Sequence, residues 1–154
     1  MDTIKEEYDV LIKKHKLPKF EVLDEEFEIR ALEENRSGRP VKAIIRDIAS
    51  RIRSFLEILD PVVSPNPGSI HSMMAANNLS EAVKKDMYEF YKKIGSLYHE
   101  CLYEELESDE SASKFIKKFM KAWPGLKEKQ KKFMKLIIGT WDKEVPKQKA
   151  GYCS

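Results

Sequence analysis

The stretch PVKAIIRDIASRIRSFLEIL, residues 40–59, decides the fold class. Val41, Ile44, Ile45, Ile48, Ile52, Phe55, Leu56 and Leu59 recur at intervals of three and four, which traces one face of an α-helix for about five turns. The β-branched content of the run favours strands by propensity, but its period and length decide for a helix. Pro40 suits the first turn, where its missing N–H costs nothing, and Asp60-Pro61 predicts the end.

The same reading extends outward. Ile4, Tyr8, Leu11 and Ile12 predict a helix from Asp2 to about His15, ended by Leu17-Pro18, with Thr3 and Glu6 in capping-box relation. Phe20, Leu23, Phe27 and Leu32 predict a shorter helix with a break near Asp24. Asp60 to Ser69, with Pro61, Pro65, Pro67 and Gly68, is a structured turn. Ser69 caps a short helix through Ala76, and Ser80 caps a long one to about Glu107 carried by Val83, Met87, Phe90, Ile94, Leu97 and Cys101. After an acidic linker, Ser108 to Ser111, come two more apolar faces. Ala112, Phe115, Ile116, Phe119 and Trp123 carry the first, and Leu126, Phe133, Ile137 and Trp141 the second, with Trp123-Pro124-Gly125 separating them. No strand pattern and no repeat is present. The expectation is an all-α, single-domain helical bundle of five to seven helices over residues 1–142, with the helices starting at Pro40 and Ser80 as a long central pair, and a flexible basic tail over 143–154.

Composition limits the function classes. At 154 residues, 42% hydrophobic and 35% charged, the chain is long and apolar enough for a core without disulfides or metals. The two cysteines, Cys101 and Cys153, form no C-x-x-C pair and no disulfide framework. No basic leader with an apolar run and no stretch near 18 apolar residues is present, so a cytoplasmic protein with no membrane partner is expected.

Catalytic candidates are few. His15 ends a helix, where a cation complements the dipole, and reads as an exposed capping residue. His99-Glu100 begins a zinc-type H-E-x-x-H, but the fifth residue is Tyr103, and the residue three before His99 is Ser96, so neither a zinc nor a di-iron pattern is complete. Glu100, Glu104 and Glu107 form a solvated acidic face. His71 follows the proline-rich turn and stands beside Met73 and Met74; a helical metal- or ligand-binding enzyme around His71 or His99 is the only enzymatic reading. Cys101 reads as a buried thiol. Phe115, Phe119, Met120, Trp123, Phe133 and Met134 suit either a base-stacking platform among lysines or, by spacing, the core, with Trp123 and Trp141 partly exposed. No cofactor, metal site or catalytic constellation is expected.

Charge is arranged although the total is only +2. Residues 1–34 hold 6 basic and 11 acidic side chains, residues 35–60 hold 6 and 3, residues 61–113 hold 4 and 9, and residues 114–154 hold 12 and 3. The C-terminal excess is lysine, chiefly Lys117, Lys118, Lys121, Lys127, Lys129, Lys131, Lys132 and Lys135. Arg39, Arg46 and Arg53 recur every seven residues, with Lys42 beside them, opposite the apolar face. These cations either pack against the chain's own acidic helices or bind phosphates or an acidic partner. The candidate partner- or phosphate-binding residues are therefore Arg39, Lys42, Arg46, Arg53, Lys117, Lys118, Lys121, Lys131, Lys132 and Lys135.

At Leu23-Asp24-Glu25-Glu26-Phe27-Glu28-Ile29, at the turn from Leu59-Asp60-Pro61 to Ser72-Met73, and at Leu97-Tyr98-His99-Glu100, the chain resembles small, uncharacterised all-helical proteins of archaea. The likeness spans most of residues 5–141. It implies an intracellular helical domain and carries over no activity or site. The function expected is a non-enzymatic interaction or adaptor protein that engages a macromolecular partner through charged helix faces. A sequence-independent nucleic-acid-binding accessory protein is the alternative.

Overall fold

A computed structural model describes residues 3–27 and 40–143. Arg39, the stretch beyond Phe27 and the expected tail from residue 144 lie outside the described residues. Within them the chain is all-helical and contains no strand. Six helices follow one another: α1 (Thr3–His15), α2 (Phe20–Phe27), α3 (Pro40–Val63), α4 (Ile70–Asn78), α5 (Glu81–Glu104) and α6 (Asp109–Trp141). They divide into two compact units, Met1–Ser54 with Gly95–Leu126, and Phe55–Ile94 with Lys127–Ser154. None of the described helices is long and apolar enough to cross a membrane.

The caps predicted from single hydroxyl side chains are in place. Ser69 Oγ accepts from the Ser72 amide at the start of α4. Ser80 Oγ accepts from the Val83 amide at 3.2 Å, ahead of α5. Ser72 Oγ donates to the Pro61 carbonyl at 2.9 Å and accepts from the Asn66 amide at 3.0 Å, which secures the proline-rich turn against α4.

Three boundaries differ from the sequence reading. The acidic linker is shorter: Ser108 Oγ accepts from the Ser111 amide at 3.1 Å, so Asp109 and Glu110 already form the first turn of α6, where the helix dipole favours them. Asp24 breaks nothing, since α2 runs through it. Helix α3 passes Asp60-Pro61 and ends at Val63, with the Ser64 amide on the Asp60 carbonyl at 2.8 Å. In the last turn a proline removes one hydrogen bond and keeps a helical φ, and the extra residues bury Val62.

The larger correction concerns Pro124. The expected separation does not occur, and α6 is one helix of 33 residues, longer than α3 or α5 at 24 each. The apolar positions explain why. Phe115, Phe119, Trp123, Leu126, Gln130 and Phe133 are all buried and keep a three-four spacing straight across Pro124. A break there would throw the following positions out of phase. Burying Leu126 and Phe133 with Trp123, at about 1.5–3 kcal/mol each, outweighs about 3 kcal/mol for the proline and about 1 kcal/mol for Gly125. Both residues sit on the exposed side of the helix.

In the first unit, Phe27 meets Trp123 at 5.2 Å and Phe119 at 6.0 Å between ring centroids, and Phe119 meets Trp123 at 5.4 Å. Trp123 is only 3% exposed, against the expectation of partial exposure, because its indole N–H donates to Glu26 Oε2 at 2.9 Å. Burial satisfies both its apolar body and its polar tip. Tyr8 packs on Phe20 at 5.6 Å and its hydroxyl donates to the Pro18 carbonyl at 2.8 Å. In the second unit, Phe90 packs on Phe133 at 5.4 Å, and Leu59, Met74 and Met87 are buried. Trp141 is 44% exposed, as expected, with the edge of His71 against it. The core reading of the aromatic run thus holds for Phe115, Phe119, Trp123 and Phe133.

Two predictions follow from these positions. Replacing Pro124 or Gly125 by Ala restores helix propensity at an exposed site; a Cβ at Gly125 meets nothing within 4 Å. Denaturant melts should show stabilisation of about 1–3 kcal/mol for Pro124→Ala and about 0.5–1 kcal/mol for Gly125→Ala.

The second concerns alkaline pH. Burial, with Glu100, Glu105 and Glu104 adding, pushes the Cys101 thiol up to about 12 from 9.0. Burial also raises Tyr8 above its ordinary 10.0, with Asp9 adding. The folded state keeps protons that the unfolded chain releases, so stability is full below about pH 9 and falls as pH rises toward 12. Melts at pH 8 and about pH 10.5 should differ by about 2 kcal/mol, and Cys101→Ala should flatten most of that loss.

Candidate functional site

The lysines of the first half of α6 fall on one face for a simple reason. Lys114, Lys117, Lys118 and Lys121 are spaced i, i+3, i+4 and i+7, and the complementary positions Phe115, Ile116 and Phe119 are committed to the core. Opposite this face lies the turn between α1 and α2. It starts at Lys16, which adopts a left-handed φ of 54° just past the end of α1, a position that usually selects glycine. Leu17 is buried, and the Tyr8 hydroxyl holds the Pro18 carbonyl.

Between turn and helix runs a groove of about 930 Å3, lined by Lys16, Lys114, Lys117, Lys118 and Lys121 together with Leu17, Pro18, Met120 and Ala122. A smaller cavity of about 190 Å3 adjoins it, sharing Lys16, Lys114 and Lys117 and adding Lys14, His15, Glu110 and Ser113. Two of the lysines have carboxylate partners: Lys114 lies 3.8 Å from Glu110 and Lys118 lies 3.6 Å from Glu100. Both pairs are exposed and contribute about 0–1 kcal/mol each. Among the described residues, Lys16, Lys117 and Lys121 have no ion-pair partner.

The small cavity holds two unsatisfied polar groups. Ser113 is 0% exposed and its Oγ has no hydrogen-bond partner among the described residues; nor does the buried Nε2 of His15. A helical serine commonly back-bonds to the carbonyl four residues earlier; Ser113 does not. Each bare group costs about 1–3 kcal/mol. His15 is thus not the exposed capping residue expected from the sequence.

The other candidate residues separate. Lys42 is 3% exposed, and its ammonium donates to the backbone carbonyls of Glu104, the last residue of α5, and of Glu107 in the turn after it. It is a helix C-terminal cap and does not line an outward face with the arginines. Arg46 is exposed and paired with Glu105 at 3.3 Å, and Arg53 is exposed. Lys131 pairs with Glu128 at 3.5 Å, while Lys132 and Lys135 are exposed on the second half of α6. Of the nine candidates among the described residues, Lys117, Lys118 and Lys121 share one groove. His71 and His99 are both exposed, His99 with Nδ1 2.8 Å from the Gly95 carbonyl. Among the described residues no cluster of His, Cys, Asp and Glu has the makings of a metal site. Family models, curated proteins and solved structures offer no match to this chain.

The sequence reading missed Lys14, His15, Lys16 and Lys114. The Lys13-Lys14-His15-Lys16 run at a helix end looks like ordinary dipole complementation. Lys114 was legible, because it begins the i, i+3, i+4, i+7 series.

The structural assignment of Lys42 has its own test. Lys42→Met keeps the apolar stem and removes the ammonium, leaving the part-buried carbonyls of Glu104 and Glu107 without that donor. Chemical denaturation should register a loss of about 1.5–3 kcal/mol, whereas Lys132→Met, on an exposed face, should stay within about 0.5 kcal/mol of the parent.

Proposed function

We propose that this protein is a non-enzymatic interaction protein whose groove between the α1–α2 turn and α6 takes an acidic, amphipathic segment of a partner protein. The observation that carries this reading is the mixed lining: Lys16, Lys117 and Lys121, with no ion-pair partners among the described residues, alternate with the apolar Leu17, Pro18, Met120 and Ala122. A segment bearing carboxylates and one or two apolar side chains meets both. A nucleic-acid strand fits the lysines less completely, because among the described residues no aromatic or arginine side chain lines the groove to stack on a base or fork onto one.

Lys16 strengthens the case. An L-residue in the left-handed region costs about 1–2 kcal/mol, and glycine would avoid that at this turn. A lysine there supplies a cation to the groove at the expense of stability.

The test is a fluorescence anisotropy titration of the full chain with a labelled Glu/Leu peptide of helical spacing and, separately, a labelled single-stranded oligonucleotide, across a salt series. The peptide should bind in a salt-sensitive way, and Lys117→Glu with Lys121→Glu should weaken it at least about tenfold, equivalent to about 1.4 kcal/mol. Lys16→Gly should give opposite signs in two measurements, with stability up by about 1 kcal/mol and affinity down. Tighter binding of the oligonucleotide than of the peptide at equal salt would replace this reading with the nucleic-acid one, and peptide affinity unmoved by the charge reversals would remove the groove from it.

A further inference from the structure

The small cavity at the end of the groove has a chemistry distinct from the groove itself. Among the described residues, its polar lining is rich in side chains able to donate: Lys14, Lys16, Lys114, Lys117, His15 and Ser113. Among the described residues the one acceptor-only side chain there, Glu110, is beside the Lys114 ammonium at 3.8 Å. Ser113 is wholly buried with Oγ unpartnered, and the buried His15 Nε2 is unpartnered too. The groove's apolar lining residues are absent from this cavity, so an apolar anchor has no place in it.

We propose that this cavity is a binding site for a phosphate-class tetrahedral oxyanion, with the Ser113 hydroxyl and the His15 Nε2–H as its two directional donors and the surrounding lysines supplying the field. Several acceptor oxygens on one small dianion match several donors converging from α1 and α6. A lone carboxylate presents two coplanar oxygens and half the charge, and satisfies fewer of them. The phosphate group arrives either as free inorganic phosphate or as a phosphorylated side chain on a segment in the adjoining groove. The site adds a ligand to the groove reading and stands without it.

The experiment is calorimetric titration of the full chain with inorganic phosphate, with acetate at matched ionic strength as the comparison, followed by the Glu/Leu peptide with and without one phosphoserine. Phosphate should bind more tightly than acetate. Ser113→Ala and His15→Leu should each weaken phosphate by about tenfold while leaving the unphosphorylated peptide unaffected. His15→Gln, which retains a neutral donor, should keep most of the phosphate affinity, and far-UV circular dichroism of the two weakened variants shows that both fold. A phosphopeptide stronger than its unmodified form identifies the protein-borne source, and equal affinities identify free phosphate. Equal binding of phosphate and acetate, or phosphate affinity unchanged in both folded variants, overturns the proposal, since lysine attraction alone gives that result. Loss of peptide binding with phosphate binding intact counts against the groove and not the cavity; the converse counts against the cavity alone.

Discussion

The packing of Phe27 on Phe119 and Trp123, closed by the Trp123 indole on Glu26, is the contact on which the candidate site depends. It holds α2 against α6, and α2 in turn carries the α1–α2 turn. Tyr8, packed on Phe20 and bonded to the Pro18 carbonyl, and the 3.0 Å ion pair of Lys5 with Glu21 fasten that turn from the other side. Once Phe115, Ile116, Phe119 and Trp123 are committed inward, the 3.6-residue period leaves positions 114, 117, 118 and 121 facing the turn and solvent. The groove is therefore set by core packing, and its lysines require no contact of their own to be brought together.

Such an arrangement stores repulsion. Exposed ammonium groups a few ångströms apart in water repel by less than about 1 kcal/mol each, screened beyond about 10 Å at ordinary salt. The first unit tolerates this because Glu100 and Glu110 offset two of the four lysines of α6. The segregated charge is thus partly matched within the chain and partly left over, and the surplus is concentrated at Lys16, Lys117 and Lys121. An anionic ligand lowers the energy of the site both by its own attraction and by relieving that repulsion, which is why salt dependence is its proper signature.

Most of the fold was legible because the helices announce themselves by periodicity, two of them with a hydroxyl cap as well: Ser69 and Ser80 both cap in the structure. Two of the misread boundaries share one cause. Pro61 and Pro124 were read as local stops, yet each sits where a single lost hydrogen bond is outweighed by apolar positions that keep phase beyond it. Local punctuation was given priority over tertiary burial. The site was legible only in its α6 half, since Lys117, Lys118 and Lys121 share a helix, whereas Lys14, His15 and Lys16 join them through a turn whose path depends on Tyr8 and Pro18.

Lys42 shows why residue type and spacing do not by themselves assign a role. It lies three residues before the buried Ile45 and four before the exposed Arg46, so a helical wheel places it at the edge of the polar face. In the structure all of Val41, Lys42, Ala43, Ile44 and Ile45 are buried, because the start of α3 is covered around its whole circumference. An ammonium enclosed there needs acceptors, and the end of α5 and the turn after it supply the carbonyls of Glu104 and Glu107 at the negative end of a helix dipole. The same turn carries Glu104, whose carboxylate accepts from Ser111 Oγ at 2.8 Å in the first turn of α6. One buried cation and one hydroxyl therefore govern how α5 hands over to α6, and through that junction the register at which the lysines of α6 meet the turn opposite them.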